Sequence, residues 1–150
     1  MKARYLIGSV IIALALALWS GCGINPVPVE GVVSGEGSIV LNIGDISPEE
    51  YGFYYGRNYY GSLYFYYRVT NPEVSAPYGI YVSSTDLDSA PASGYTRNNV
   101  PVEYGKYYFF RPDSIHYGRF FARYIAINDT TTTIDFYWML QTNDRDRGFY

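Results

Sequence analysis

The sequence predicts an all-β protein built on one antiparallel β-sandwich. From residue 38 onward, hydrophobic and polar residues alternate with a period of two in short runs, which is the spacing of strands that bury one face. Glycine, proline, asparagine and aspartate separate these runs, and they are the residues that favour turns. Tyrosine makes up 19 of the 150 residues, and aromatic side chains favour strands over helices.

The first 21 residues have the pattern of an export signal. Lys2 and Arg4 carry positive charge, residues 6–19 form an uncharged and mostly apolar run, and the small residues Ser20 and Gly21 end it. A helix that spans a bilayer needs about 20 apolar residues, so this run is too short to be a membrane span. The sequence therefore predicts a signal peptide over residues 1–21.

Cys22, the only cysteine of the chain, follows this segment directly. Together with Leu18, Ser20 and Gly21 it resembles the lipobox of bacterial lipoproteins, with Trp19 at a position where the family prefers an aliphatic residue. The resemblance implies that the cysteine is thioether-linked to diacylglycerol, that the signal is cut before it, and that the new N-terminus is acylated. Two or more acyl chains make a stable membrane anchor, whereas one gives only marginal binding.

The residue after the cysteine bears on location. In lipoproteins of two-membrane bacteria an aspartate at that place retains the protein at the inner membrane, and this chain has Gly23. The resemblance therefore implies an exported protein whose partner is the membrane, through the lipid at Cys22, at the outer membrane or cell surface. Secretion with an ordinary signal peptide and an uncleaved membrane helix stay open as alternatives.

A tether, one domain and a tail are predicted from the cysteine onward. Residues 22–37 carry four glycines and two prolines, so we expect a flexible tether. The β-sandwich is predicted over residues 38–140, and the charged residues 141–150 are expected to fray. Seven strands are predicted within the domain: residues 38–43, 51–55, 62–69, 78–83, 106–111, 119–127 and 132–140.

The number and order of these strands limit the types of β-sandwich that the sequence predicts. About seven to eight short strands are typical of a sandwich of the jelly-roll or immunoglobulin-like type, and a chain with one cysteine cannot form the disulfide of antibody domains. Asn128 and Asp129 suit a hairpin turn between the last two strands. With the aromatic run at residues 104–110, this ending resembles the pre-peptidase C-terminal domains, small jelly-roll domains appended to secreted bacterial proteases.

Charge excludes one class of partner. Without residues 1–21 the chain keeps nine basic residues against 14 acidic ones. Because nucleic-acid binding depends on basic side chains that neutralise phosphates, we expect no nucleic-acid partner.

Residue types that carry out catalysis or bind metals are scarce. The only histidine, His116, shares a loop with Asp113 and Ser114, and because the members of a hydrolytic triad rarely come from one loop, we expect an exposed loop histidine and no enzyme. A lone histidine and a lone cysteine argue against zinc. Asp86 and Asp88 are a calcium candidate without the glycine and glutamate of an EF-hand loop, and an aspartate-rich turn explains the same residues. We expect no cofactor.

The aromatic strands give the strongest functional lead. Side chains on the outer faces of three strands form one surface patch if those strands share a sheet. The predicted patch consists of Tyr64, Tyr66, Arg68, Phe121, Arg123 and Tyr137. On the strand at residues 119–127, we expect Phe120, Ala122, Tyr124 and Ala126 in the core.

Three interpretations of this patch stay open. Tyrosine offers a large rigid contact area for a protein partner or a second copy, flat aromatic rings can stack on sugars, and cross-strand aromatic pairs can serve the sheet alone, at about 0.2 to 1 kcal/mol per pair. The sequence predicts a lipid-anchored envelope or cell-surface protein that acts as a non-catalytic binding module through this face. The alternatives are a structural subunit that self-associates into an oligomer or fibre, and a carbohydrate-binding or accessory domain of an exported enzyme system.

Overall fold

The computed structural model describes residues 31–149 of the chain. Within that range there are nine strands and no helix. The predicted signal peptide, the predicted lipidation site Cys22 and most of the predicted tether lie outside the described residues. The strands are β1 (Val32–Asn42), β2 (Glu49–Tyr55), β3 (Asn58–Tyr66), β4 (Glu73–Ser75), β5 (Ile80–Ser83), β6 (Val100–Pro101), β7 (Tyr107–Phe110), β8 (Tyr117–Ile127) and β9 (Thr131–Gln141).

These strands form two antiparallel sheets. One sheet has five strands in the order β1-β9-β8-β7-β5, and the other has four in the order β2-β3-β4-β6. Apolar side chains from the inner faces of both sheets meet in a single core. The predicted fold class, an antiparallel β-sandwich, is therefore confirmed.

Each of the seven predicted strands overlaps a strand of the structure, and two strands were missed. β4 and β6 have three and two residues, which is too short for a period of two to be recognised. The hairpin predicted at Asn128 and Asp129 joins β8 to β9. The Asn128 side-chain oxygen accepts hydrogen bonds from the backbone N–H groups of Thr130, at 3.0 Å, and Thr131, at 2.7 Å.

β1 begins at Val32, six residues earlier than predicted, so the prediction of a tether is wrong for residues 32–37. All eleven residues of β1 pair with β9 without interruption. Gly35 and Gly37 are needed there because aromatic rings lie directly beneath them: a Cβ on Gly35 would be 2.8 Å from the Trp138 ring, and one on Gly37 would be 2.5 Å from the Phe136 ring. Glycines that had indicated flexibility instead make room for the core.

The core is a continuous stack of aromatic rings. Phe136 lies at its centre, with ring centroids 5.0 Å from Tyr51, 5.4 Å from Phe65 and 5.6 Å from Phe120. Phe120 in turn stacks nearly parallel to Tyr108 at 4.5 Å. Aromatic pairs at such separations contribute about 0.5 to 1.5 kcal/mol each beyond the burial of their area.

A β-bulge at Arg123 changes which residues of β8 face the core. Ala122 pairs with Phe136 and Tyr124 pairs with the next residue, Asp135, so Arg123 is the extra residue. Beyond it the alternation is reversed. The predicted core positions Tyr124 and Ala126 are therefore wrong: Tyr124 is 55% exposed, and Ile125 packs against the core.

A second, smaller core covers part of the outer face of the five-stranded sheet. Ala90, Phe109 and Phe149 form its centre. The backbone N–H of Ala90 donates to the carbonyl of Arg147 at 2.7 Å, and that of Phe149 donates to the carbonyl of Asp88 at 3.0 Å. The expectation that residues 141–150 fray is therefore wrong for residues 141–149, because the segment folds back and buries Phe149. We call residues 84–99 and 142–149 together the cover.

We predict that Phe136→Ala lowers the free energy of unfolding by about 3 to 5 kcal/mol, because it removes a fully buried ring at the centre of the aromatic stack. Tyr124→Ala on the neighbouring strand is the matched control, and we expect it to change stability little because that ring is exposed. Urea unfolding followed by tryptophan fluorescence measures both. Equal losses in the two variants would contradict this placement of the core.

Candidate functional site

The structure separates the six residues of the predicted patch. Tyr64 and Tyr66 are on β3, in the four-stranded sheet, whereas Phe121, Arg123 and Tyr137 are on β8 and β9, in the five-stranded sheet. The outer faces of the two sheets point in opposite directions. The prediction of one patch is therefore wrong, because alternation along a strand shows which side is buried but not which sheet the strand joins.

The patch residues near the four-stranded sheet contact each other and neighbouring residues of the same sheet. Arg68 lies two residues past the end of β3, and its Nε atom forms an ion pair with Glu73 at 3.0 Å. Its guanidinium group also lies 5.7 Å from the centroid of the Tyr66 ring. The Tyr66 and Ser75 hydroxyl groups are 3.3 Å apart. Tyr64 pairs across the sheet with Glu50 and Ser75.

The residues on the five-stranded sheet line a cleft that the cover leaves open. The cavity has a volume of about 310 Å³. We call it the aromatic cleft, and its outward-facing lining side chains are those of Ser34, Tyr107, Arg119, Phe121, Tyr137 and Met139. Two of the predicted patch residues, Phe121 and Tyr137, thus belong to one site, and Arg123 borders it.

Strand register builds this cleft from two adjacent rows of side chains. In one row Phe121 pairs with Tyr107 on one side and Tyr137 on the other. In the next row Arg119 pairs with Met139, which pairs with Ser34. The Tyr107 and Phe121 rings lie 4.9 Å apart, tilted by 38°. Four strands therefore contribute to the site, and none of them could form it alone.

Arg119 joins the cleft to the cover. Its side chain is only 8% exposed and forms an ion pair with Asp86. The guanidinium also donates to the carbonyl of Leu87 at 3.2 Å and lies 5.4 Å from the centroid of the Phe149 ring. It contacts the sulfur of Met139 at 2.9 Å. The buried cation thus holds both segments of the cover against β8.

The ion pair between Arg119 and Asp86 involves one of the two residues of the predicted calcium candidate. Asp86 already faces a guanidinium group, and Asp88 contributes its backbone carbonyl to Phe149. Within residues 31–149 no group of three or more histidine, cysteine, aspartate or glutamate side chains could hold a metal ion. A cation at Asp86 would have to compete with Arg119 for the carboxylate.

A charged pair forms the rim of the cleft on the β1 side. The Arg123 guanidinium donates to the two carboxylate oxygens of Glu36 at 3.1 and 3.3 Å, and it lies 4.4 Å above the centroid of the Tyr137 ring. Hydrogen bonds from Tyr137 and then from Arg123 hold the pKa of Glu36 below its ordinary value. The Arg123 guanidinium therefore links Glu36 to the Tyr137 ring at this rim.

Several residues of the cleft were not predicted. Ser34 and Glu36 lie on the part of β1 that was assigned to the tether, so no alternation was sought there. Tyr107 lies in a short run of four aromatic residues, which conceals its outward direction. For Met139 the sequence does indicate an outward direction, because the residue alternates with Trp138, whose side chain faces inward.

His116 is a correction to the sequence-based expectation. It is 8% exposed rather than an exposed loop residue, with Nδ1 2.6 Å from a carboxylate oxygen of Asp113 and Nε2 3.5 Å from one of Asp144. The Tyr60 ring packs edge-on against it at 4.9 Å. Both ring nitrogens face carboxylates, so neither is directed at the hydroxyl group of Ser114.

The Asp113 carboxylate organises this loop. It accepts backbone hydrogen bonds from Ile115 at 2.8 Å and His116 at 2.7 Å, as well as the contact from the imidazole ring. Partial burial acts to raise the pKa of Asp113, but these hydrogen bonds outweigh it and the pKa lies below its ordinary value. The folded state therefore binds a proton at this group less readily than the unfolded chain does.

We predict that this carboxylate makes stability depend on pH. A lowered pKa stabilises the fold above the unfolded-state pKa of about 4, and that stabilisation is lost as the pH falls through the folded-state pKa. Asp113→Asn should be less stable than the wild type at pH 6, and the two unfolding free energies should converge below about pH 4. Urea unfolding between pH 3 and pH 6 measures this, with Ser114→Ala as control. Parallel curves for wild type and Asp113→Asn would contradict it.

Comparisons with known proteins give no family to which the chain can be assigned. No family model matches the chain, no curated protein matches it, and no solved structure matches it. Among residues 31–149 there is no helix of the length and apolar character needed to cross a membrane. The class of protein that the structure defines is an all-β sandwich with a covered outer face and an aromatic cleft.

Proposed function

We propose that this protein is a non-catalytic binding module, held at the bacterial envelope by lipid at Cys22, whose aromatic cleft accepts an apolar or aromatic side chain of a protein partner. This proposal is supported by a difference between two parts of the outer face of the five-stranded sheet. The chain covers one part of the face with its own apolar residues, centred on Phe109 and Phe149. It leaves Phe121 and Tyr137 at the surface in the other part.

The polar groups around the cleft favour an apolar ligand over a sugar. Arg123, Glu36 and the Tyr137 hydroxyl bind one another, and Arg119 is engaged with Asp86 and the cover. A sugar needs several hydrogen-bonding groups at fixed positions, because each buried hydroxyl left without a partner costs about 1 to 3 kcal/mol. Most of the charged groups at this site are already committed to each other.

The size of the cleft fits a single bulky side chain. Ligand sites in proteins have volumes of about 300 to 1,000 Å³, and this one, at about 310 Å³, lies at the lower end. Protein interfaces obtain much of their affinity from a few aromatic anchors that fill such pockets. Met139 adds an adaptable wall, since its side chain has three rotatable bonds.

The lipid anchor rests on the sequence. A short apolar run too brief to span a bilayer ends in small residues before the only cysteine of the chain. Strand β1 begins at Val32, ten residues after Cys22. A sandwich held by so short a connection would stay within a few nanometres of the membrane, since each extended residue spans at most about 3.6 Å.

We predict that N-acetyltryptophan amide, a probe for an aromatic side chain, binds the cleft of the full-length protein in detergent micelles. In NMR titrations it should shift methyl signals of Met139 and ring signals of Phe121 and Tyr137, with millimolar affinity because one side chain supplies little contact area. Phe121→Ala should weaken binding at least about tenfold, which corresponds to about 1.4 kcal/mol.

Tyr64→Ala is the matched control, because it removes an aromatic ring from the opposite sheet and should leave the titration unchanged. Methyl glucoside and N-acetylglucosamine, titrated in parallel, probe the carbohydrate alternative. Shifts at Phe121 and Tyr137 with the sugars but not with the tryptophan amide would overturn the proposed ligand class. Binding that persists in Phe121→Ala would overturn the site.

We predict that Cys22→Ser abolishes lipid attachment. Cells that express the full chain and are fed radiolabelled palmitate should incorporate label into the wild type and not into the variant, because the thiol is the acceptor of the diacylglycerol. The variant should also pass from the membrane fraction to the soluble fraction. Equal label in both proteins would contradict the anchor, independently of the result at the cleft.

A further inference from the structure

The open edge of β1 differs from every other sheet edge in the described part of the chain. β1 is the outermost strand of the five-stranded sheet and has eleven residues. The opposite edge, β5, has four residues. In the other sheet, the edge strand β2 carries a bulge and the edge strand β6 has two residues, one of which is Pro101.

Short strands, bulges and prolines are the devices that prevent a sheet edge from pairing with another chain. β1 has none of them. Its register with β9 is continuous over all eleven residues, and it contains no proline, lysine or arginine. An edge of this length and regularity is suited to accept a further strand.

Hydrogen bonds at both ends of β1 and at its centre show which backbone groups face this edge. The Gly31 carbonyl and the Ile43 N–H bond toward the β9 side, so odd-numbered residues of β1 pair with β9. The backbone groups of even-numbered residues point toward the open edge. The Asn42 N–H donates to the Asp45 carboxylate at 3.0 Å, and the Glu36 carbonyl accepts from the Tyr51 hydroxyl at 3.1 Å. Between residues 31 and 149 no strand pairs with this side of β1.

The sequence of β1 is close to a palindrome centred on Glu36. Reading outward from that residue, glycine meets glycine, Ser34 meets Ser38, valine meets isoleucine, and Val32 meets Val40. The inward-facing half of this pattern is explained by core packing, since the glycines lie over aromatic rings. Side chains of the other half lie on the outer face of the sheet, where Glu36 binds Arg123 and the Ser38 hydroxyl donates to Asp135 at 2.6 Å. These contacts do not require Ser34 to match Ser38 or Val32 to match Val40.

We propose that β1 pairs with β1 of a second copy of this chain, antiparallel, across a two-fold axis at Glu36. A two-fold interface must be complementary to itself, and a palindromic strand meets that requirement at every position. Serine then lies opposite serine and valine opposite valine, at the short separation at which cross-strand side chains interact. The two five-stranded sheets become one sheet of ten strands.

The central pair, Glu36 with Glu36 of the second copy, would be repulsive by itself. Each carboxylate, however, is bound by both guanidinium nitrogens of its own Arg123 at 3.1 and 3.3 Å. Two carboxylates and two guanidinium groups give a neutral cluster at the axis. The Glu36 carbonyl also keeps a lone pair for the new strand, since a carbonyl oxygen accepts two hydrogen bonds.

Disulfide trapping in membranes of cells that express the full chain tests this register. In the proposed pair Ser34 lies opposite Ser38 of the second copy, with Cα atoms about 5.5 Å apart, which is within the range of about 4.4 to 6.8 Å that a disulfide spans. After oxidation, the double variant Ser34→Cys with Ser38→Cys should run mainly as a dimer that dithiothreitol converts to monomer.

Each single variant is the matched control. The two copies of position 34 would be four residues apart along the paired strands, about 13 Å, so neither single variant should cross-link with itself. Co-expression of the two single variants should restore the dimer, because one cysteine of each kind then meets the other. The wild type reports any contribution of Cys22.

A dimer in the double variant and in the co-expressed pair, with none in either single variant, supports the proposal. A double variant that stays monomeric would overturn it, as would single variants that cross-link as strongly as the double one, since that pattern indicates random collision. Ser34 and Ser38 are exposed, and the substitutions remove one exposed hydrogen bond, from Ser38 to Asp135. Thermal unfolding of the double variant under reducing conditions should therefore stay close to that of the wild type, which separates loss of pairing from loss of the fold.

Discussion

The structure depends on the pairing of β9 with β1 on one side and β8 on the other. All eleven residues of β9 are matched with β1 and ten of them with β8, with a single bulge at Arg123. This register places Phe136 at the centre of the core and, on the opposite face, Tyr137 between Glu36 and Phe121. The core, the aromatic cleft and its charged rim are therefore consequences of one alignment, and a slip by one residue would exchange the inner and outer faces of the strand.

Much of the fold could be predicted because each long strand carries its own local signal. Alternation identified seven strands and the turns between them, which was enough for the fold class. What could not be predicted depends on contacts between distant residues. Gly35 and Gly37 resemble linker residues until the rings of Trp138 and Phe136 are placed beneath them. No sequence pattern near Arg123 indicates the bulge that turns Tyr124 outward.

The site was harder to predict than the fold for the same reason. Alternation correctly placed Phe121 and Tyr137 on outer faces, but their assignment to a common patch with Tyr64 required the strand order, which is a property of the whole chain. Arg119 shows most clearly what local alternation cannot predict. Its burial depends on Asp86, from another part of the chain, and on Phe149 at the far end. Composition could indicate that aromatic residues matter, while the choice of face came from long-range pairing.

The position of β1 beside β9 has a consequence for the order of synthesis. During synthesis β1 must wait for β9, since its partners along the sheet lie about a hundred residues later in the chain. Contacts of such separation close large loops and form slowly. Until β9 emerges, the aromatic residues that it buries stay accessible to chaperones and proteases, so the nascent sandwich is most vulnerable just before residues 131–141 appear.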